Sequence, residues 1–285
     1  EFHSDIVIDL LCYRKYGHNE ADEPTYTQPL LYKKIKQLPP ISRFYANRLI
    51  DAKLISPDEL DKIYTTTHQF FENELEHYKK TNIQSQIKIN TQEAEIPDFM
   101  FRDDYVQKVS ENTLKQITDA ITKIPNRFNI NPKIKSLLEK RYKMVYSESS
   151  AIDWGMAEHL AFGSILLDNR DVRITGQDSQ RGTFSHRHGV LIDFRHEDQY
   201  IPLNNLSERQ GKFRIFDSPL SEYAVVGFEY GYSLIEKEGL TIWEAQFGDF
   251  ANNAIPIVDQ YLSCGETKWG QYSNLTLFLP HSYDG

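Results

Sequence analysis

The sequence is short of cysteine, of long apolar runs and of positive charge, and each shortage closes a class of function. Cys12 and Cys264 are the only cysteines in 285 residues. They stand alone, without the paired spacing of a structural zinc site, and they suit a reducing compartment. No apolar run approaches the roughly 18 residues that a membrane-spanning helix needs, and the first residues do not read as a secretory signal. No membrane partner is expected. A net charge of −9 argues against nucleic acid, which calls for a basic face. The remainder, 40% apolar and 26% charged, is ordinary for a globular protein and long enough for a full core in two lobes.

Residues 217–253 organise what is there, reading as helix, turn, buried strand and polar loop. Ser218 is placed to cap the helix, Pro219 to take its first position and Glu222 to fall in the first turn. Leu220, Ala224, Val225 and Phe228 follow at helical spacing, and Gly227 with Gly231 permits close backbone approach on one side. Residues 240–247 are short, β-branched and aromatic, hence a strand, and residues 248–253 form a polar loop beyond it. Ligands of α/β folds sit past strand ends of this kind.

From the N-terminus, residues 5–12 form a nearly continuous apolar run of buried parallel-strand type. The run delivers residues 13–24, a loop dense in titratable groups that is either a solvated turn or, through Gly17-His18, a diphosphate site. Residues 30–146 read as mostly helical, with starts at Ser42 and at Ser56-Pro57-Asp58-Glu59, the latter a capping box. Helix is also expected over 104–123 and 132–146, and 81–98 is polar and irregular. The Tyr, Phe and Ile positions there read as core, and His68 and His77 as surface or packing residues. Residues 152–167 are a helix with Trp154, Ala157, Ala161 and Ile165 on one stripe. Residues 171–175 are a strand opening onto 176–188, a loop holding Arg181, Arg187, His186, His188 and Asp178. That loop is either a salt-bridged turn of little energetic weight or an anion site built from guanidinium forks. A hairpin spans 190–203, and 274–279 is a strand ending at His281. Polar groups at His18, Gln177, Phe247, His281 and Glu222 thus cluster at four strand ends and one helix start. The pattern points to an α/β enzyme with parallel sheets, flanking helices and a ligand in the crevice.

Several long runs in order carry a resemblance: CYRKYGHNEADEPTYTQP, VRITGQDSQRGTFSHRH, LSEYAVVGFEYGY, IWEAQFGDFANNA, SCGETKWGQ and LPHSYDG. The chain resembles the decarboxylating component of the thiamin-diphosphate-dependent 2-oxoglutarate dehydrogenase family across almost its whole length, most weakly over residues 40–148. Ser282 and Asp284 depart from the family's usual His-Gly-Tyr-Glu-Gly. The resemblance implies the thiamin-diphosphate-binding fold. It assigns residues 1–38 to the end of a diphosphate-binding domain, 39–149 to a helical connector and 150–285 to the start of a pyrimidine-binding domain. It implies an internal piece of a longer, homodimeric chain, with magnesium ligands outside the piece and little activity in the piece alone. Glu222 resembles the glutamate that hydrogen-bonds the cofactor's pyrimidine ring, Phe247 the aromatic stacked on that ring, and Phe250 the wall beside it. Gln177 matches a cofactor-side amide, His18 a diphosphate-side histidine facing the reacting centre, and His281 an active-site histidine. Glu222, His18 and His281 are the implied catalytic residues. Arg181, His186, Arg187 and His188 are candidates for substrate carboxylate or subunit contacts. The implied reaction is decarboxylation of 2-oxoglutarate with succinyl transfer to the lipoyl group of the dihydrolipoyl succinyltransferase component, within the tricarboxylic acid cycle. The expected location is the cytoplasm of a bacterium or the mitochondrial matrix of a eukaryote. The alternatives are a related 2-oxo acid such as 2-oxoadipate, or a fragment without catalysis.

Overall fold

The computed structural model describes residues 5–18, 22–81, 108–147 and 151–280. Its chain divides into two compact units, residues 1–33 with 108–285 and residues 34–107. The described helices are α1 (Pro29–Ile35), α2 (Ile41–Asp51), α3 (Pro57–Thr81), α4 (Glu111–Thr122), α5 (Pro132–Tyr146), α6 (Trp154–Leu167) and α7 (Glu222–Ile235), besides short helical turns. The strands are β1 (Val172–Gly176), β2 (Leu191–Ile192), β3 (Gln199–Tyr200), β4 (Phe213–Asp217), β5 (Leu240–Glu244) and β6 (Leu275–Phe278).

The larger unit is built on a parallel sheet in the order β4-β1-β5-β6. Register aligns the strand ends: Gly176 lies opposite both Asp217 and Glu244. The segments leaving β1, β4 and β5 therefore emerge side by side at one edge, where ligands of open α/β sheets bind. Alternation along each strand assigns the faces. Val172, Ile174, Phe213, Ile215 and Ile242 face α6 and α4, packing on Met156, Leu160, Phe162, Leu166, Ile117 and Ile121. Trp243 and Leu275 face α7 and meet Val225, Val226 and Tyr230. Each such side chain contributes about 1.5–3 kcal/mol by leaving water. Side-chain caps start three helices: Ser110 on α4, Asn131 on α5 and Asp153 on α6. The β2–β3 hairpin matches the expected hairpin, and Leu191 packs against Ile134 and Leu138 of α5.

In the smaller unit, Ser56 and Glu59 form the reciprocal capping box: Ser56 N donates to Glu59 Oε2 at 2.8 Å and Glu59 N to Ser56 Oγ at 3.2 Å. His68 sits on the surface of α3 beside Glu72. Ile63, Phe70 and Phe71 of the same helix are exposed rather than core. The expected irregular stretch 81–98 falls largely outside the described residues.

Four further expectations change. Residues 5–12 form no strand, and Ile6, Val7, Ile8, Leu10 and Leu11 lie exposed; a parallel strand exists only by hydrogen bonding to a neighbour, and none of the described residues supplies one. Helix α7 begins at Glu222, not after Ser218, because Ser218 N still donates to Gly176 O and prolongs the β4 edge. Consequently Leu220 and Phe228 point outward while Val225 and Val226 are buried, and a Cβ at Gly231 would meet nothing within 4 Å. On α6 the Trp154, Ala157, Ala161 stripe faces out; the helix is apolar almost all round, so spacing alone does not reveal its inner face. Strand β4 itself, FRIFD, carries too short a signal to be read beforehand.

Candidate functional site

The loop after β1 turns sharply. Asp178, Gly182, Ser185 and His188 all take left-handed φ values, of 57°, 81°, 51° and 49°. Three of them are not glycine, so the backbone holds conformations worth roughly 1–3 kcal/mol each in strain and needs strong anchors.

One anchor is a buried charge network. Arg187, fully buried, donates Nε and Nη2 to Glu158 at 2.8 and 3.0 Å and Nη1 and Nη2 to Glu244 at 2.6 Å each. Its Nη1 also donates to Ser179 O at 2.8 Å. All four carboxylate oxygens are thereby engaged. Burial opposes ionisation of Glu158, but His186 and Arg187 outweigh it and bring the carboxyl down to about 2. Burial likewise works against the Arg187 charge, and Glu244 with Glu158 more than restores it. Arg141 of α5 donates Nη2 to the backbone carbonyls of His186 and Arg187 at 2.6 and 2.8 Å, and burial lowers its pKa to about 10. Gly155 completes the fit, since a Cβ there would lie 2.1 Å from His186 O.

This placement revises two candidates. Arg187 meets carboxylates as its chemistry suggests, but they are the chain's own. His188 is buried, held by Ser185 O at 2.9 Å and edge-on to Tyr26 at 5.4 Å, and burial pushes its pKa down to about 3. It is a neutral packing group. His186 differs: its Nε2 lies 3.5 Å from Glu158, its ring rests on bare Gly182, and it lines a cleft of about 600 Å³ with Trp154, Phe184, Phe278 and Pro280. Glu158, His186 and Glu244 place ligand atoms within 4.8 Å of one another, as a metal site would, yet the guanidinium already fills that position.

A second polar cluster forms where the N-terminal loop meets the end of β5. Arg181 lies between Asp22 at 3.7 Å and Asp178 at 3.5 Å, and donates to Ser185 Oγ at 2.8 Å. It is therefore committed internally too. Asp22 Oδ2 accepts from His18 N at 2.8 Å. Gly17, at φ 89°, must lack a Cβ, which would approach that oxygen to 2.6 Å. The His18 ring contacts Arg14 Nη1 through Nδ1 at 2.8 Å and Gln246 Nε2 through Nε2 at 3.2 Å, and Gln246 donates to Asp178 at 3.3 Å. Asp217 closes the group by accepting from Gln180 N at 2.8 Å, with burial raising its pKa.

Glu222, half-exposed, opens α7 and accepts from Asn253 Nδ2 at 3.3 Å. Asn253 belongs to the short helical segment Gly248–Ala254 that directly follows Phe247. Phe247 packs edge-on against Phe184 at 5.7 Å, joining this corner to the cleft, and Phe250 stands at the surface. Gln177 is exposed at the start of the loop. His281 lies outside the described residues. Glu158, Glu244, Gln246 and Asn253 went unremarked in the sequence, although Glu158 and Glu244 carried a signal: a charge inside an otherwise apolar helix or strand is rarely unpaired.

Residues 150–285 match the transketolase pyrimidine-binding domain, and residues 1–87 match the dehydrogenase E1 component. The chain is 42% identical over 287 residues to a 2-oxoglutarate dehydrogenase E1 component of Staphylococcus saprophyticus. It is 43% identical over 288 residues to that of Staphylococcus epidermidis and over 293 residues to that of Staphylococcus aureus. Each match covers 100% of this chain and 30% of the relative.

Proposed function

From the premise that the chain belongs to the dehydrogenase E1 component family, with a transketolase-type pyrimidine-binding domain at residues 150–285, we propose that it forms part of a thiamin-diphosphate enzyme that decarboxylates 2-oxoglutarate. The succinyl group passes to the lipoyl group of a dihydrolipoyl succinyltransferase component, as a step of the tricarboxylic acid cycle. The working enzyme is a homodimer in the bacterial cytoplasm, in keeping with the bacterial relatives. Residues 1–38 close a diphosphate-binding domain, and magnesium is held by residues outside this chain.

The residues at hand suit the cofactor. Glu222 has a carboxylate with one amide partner, Asn253, which lies on the short helical segment that contains Phe250 and directly follows Phe247. A carboxyl beside aromatic side chains is the donor set an aminopyrimidine calls for: one group to share a proton with a ring nitrogen and flat faces to stack on. Thiamin diphosphate, when bound, supplies the electron sink for loss of carbon dioxide. The chain's part is to hold a proton at Glu222 Oε, to wall the ring with Phe247 and Phe250, and to present His18 and His281 to the reacting centre. Gln177 is a cofactor-side amide and His186 a substrate-side group in the cleft.

The observation that carries this reading is the Glu222–Asn253 contact, which draws the start of α7 to the segment after β5 at the ligand-binding edge of the sheet. In the full-length enzyme, Glu222→Gln is expected to leave folding intact and to lower release of carbon dioxide from 2-oxoglutarate by at least about a hundredfold. Turnover within a few-fold of the parent would sink the assignment. The same assay with 2-oxoadipate separates the two substrates.

A further inference from the structure

The contacts of His18 cannot all be satisfied by the protein alone. A guanidinium only donates, so Arg14 Nη1, 2.8 Å from Nδ1, makes that nitrogen the acceptor. The neutral ring then carries its proton on Nε2. Asp178 is a carboxylate and only accepts, so the atom of Gln246 that lies 3.3 Å from it is the amide nitrogen. That same nitrogen lies 3.2 Å from His18 Nε2. Two N–H donors therefore converge with no acceptor between them. Turning the amide over relieves His18 but sets the amide oxygen against the Asp178 carboxylate, acceptor on acceptor. Asp22 pins the His18 backbone, Arg181 lies between Asp22 and Asp178, and Gln246 is buried, while the His18 ring and Arg14 stay open to solvent, where a ligand can reach them.

We propose that His18 Nε2–H and the amide N–H of Gln246 form a two-donor cradle for an acceptor oxygen of the ligand, with Arg14 and Asp178 as the positioning residues that aim them. The matching chemistry is a carboxylate, carbonyl or phosphoryl oxygen, which accepts from two donors at once and resolves the conflict. The inference deepens the proposed function and rests on it for the identity of the ligand. The donor geometry itself does not depend on that reading.

Long-range proton–nitrogen correlation spectra of the chain, carrying isotope-labelled histidine and with His18 assigned by its loss in His18→Gln, read the tautomer directly. The expected signature is Nε2–H; an Nδ1–H ring overturns the proposal. Arg14→Met should mix the tautomers while the other histidines stay put, which loss of fold would not produce. Titration with 2-oxoglutarate in one arm and inorganic pyrophosphate in the other distinguishes a substrate oxygen from a cofactor oxygen. Movement of the His18 Nε2 resonance in either arm supports the cradle, and no movement in both refutes it. Gln246→Glu keeps shape but replaces a donor by an acceptor, so the apparent affinity in the responding arm should fall roughly tenfold or more. Unchanged affinity counts against the cradle. If Glu222→Gln retains turnover while these readings hold, the function assigned above falls and the donor pair stands.

Discussion

Two polar clusters flank the same loop, and they differ in one respect: the Arg187 guanidinium and the four carboxylate oxygens of Glu158 and Glu244 are matched to one another, whereas around His18 two donors share no acceptor. Composition does not separate them, since both contain arginine, histidine and acids. Saturation does. A closed network of buried charges holds backbone, here fixing a strained loop on α6 and β5. An open one has valence left for a ligand. The comparison also explains why guanidinium forks in this loop make poor predictors of substrate contact: Arg187 and Arg181 both spend their forks on internal aspartates and glutamates.

The contrast is most easily broken at Arg187. Arg187→Met strands two buried carboxylates, so chemical denaturation of the chain should show a loss of at least about 3–5 kcal/mol, up to failure to fold. The triple variant Arg187→Met, Glu158→Gln, Glu244→Gln removes the charges together and should recover much of that loss. A single variant as stable as the parent would show that the network anchors nothing. Acid gives the next largest effect. His188 titrates near 3 when folded because burial penalises its charge, against about 6.5 unfolded. The unfolded chain therefore binds the extra proton, and stability present above about pH 6.5 declines as pH falls toward 3, by up to about 1.4 kcal/mol per unit. His159 is depressed by burial in the same direction and adds to the slope. Below about pH 4.5 the lowered carboxyl of Glu158 steepens it further. Denaturant midpoints measured from pH 7.5 to 5 check this, and His188→Phe should flatten the curve. A pH-independent midpoint would mean that His188 is not held neutral.

Much of the frame was legible beforehand because its causes are local. Apolar runs at β1, β5 and β6, the Ser56–Glu59 capping box and the Pro132 start of α5 each declare themselves within a few residues. The candidate site was legible in part. Glu222 and Phe247 are singled out by resemblance, and the fold draws the segments that carry them together. What escaped the sequence depends on partners far along the chain. Ser218 looks like a cap until Gly176 takes its N–H for the sheet, 42 positions away by residue number (218 − 176). Residues 5–12 look like a buried strand, but a strand's burial depends on a neighbour and not on its own composition. Glu244 and Gln246, two residues apart along one strand end, enter opposite clusters: one completes a salt-bridged lock and the other supplies an unmatched donor. No local pattern distinguishes them.

The smallest expected effect is the most telling for the comparison. Gln246 is as buried as the members of the closed network, so burial alone would make its truncation expensive. Its amide, however, brings a donor to a place already holding one. Gln246→Met fills the same volume, removes the surplus donor and forfeits the long 3.3 Å bond to Asp178. Relief of the donor conflict and loss of that bond should nearly cancel, within about 0.5 kcal/mol of the parent by chemical denaturation. A loss of 2 kcal/mol or more would show that Gln246 is a structural member like Arg187 and that both clusters are closed.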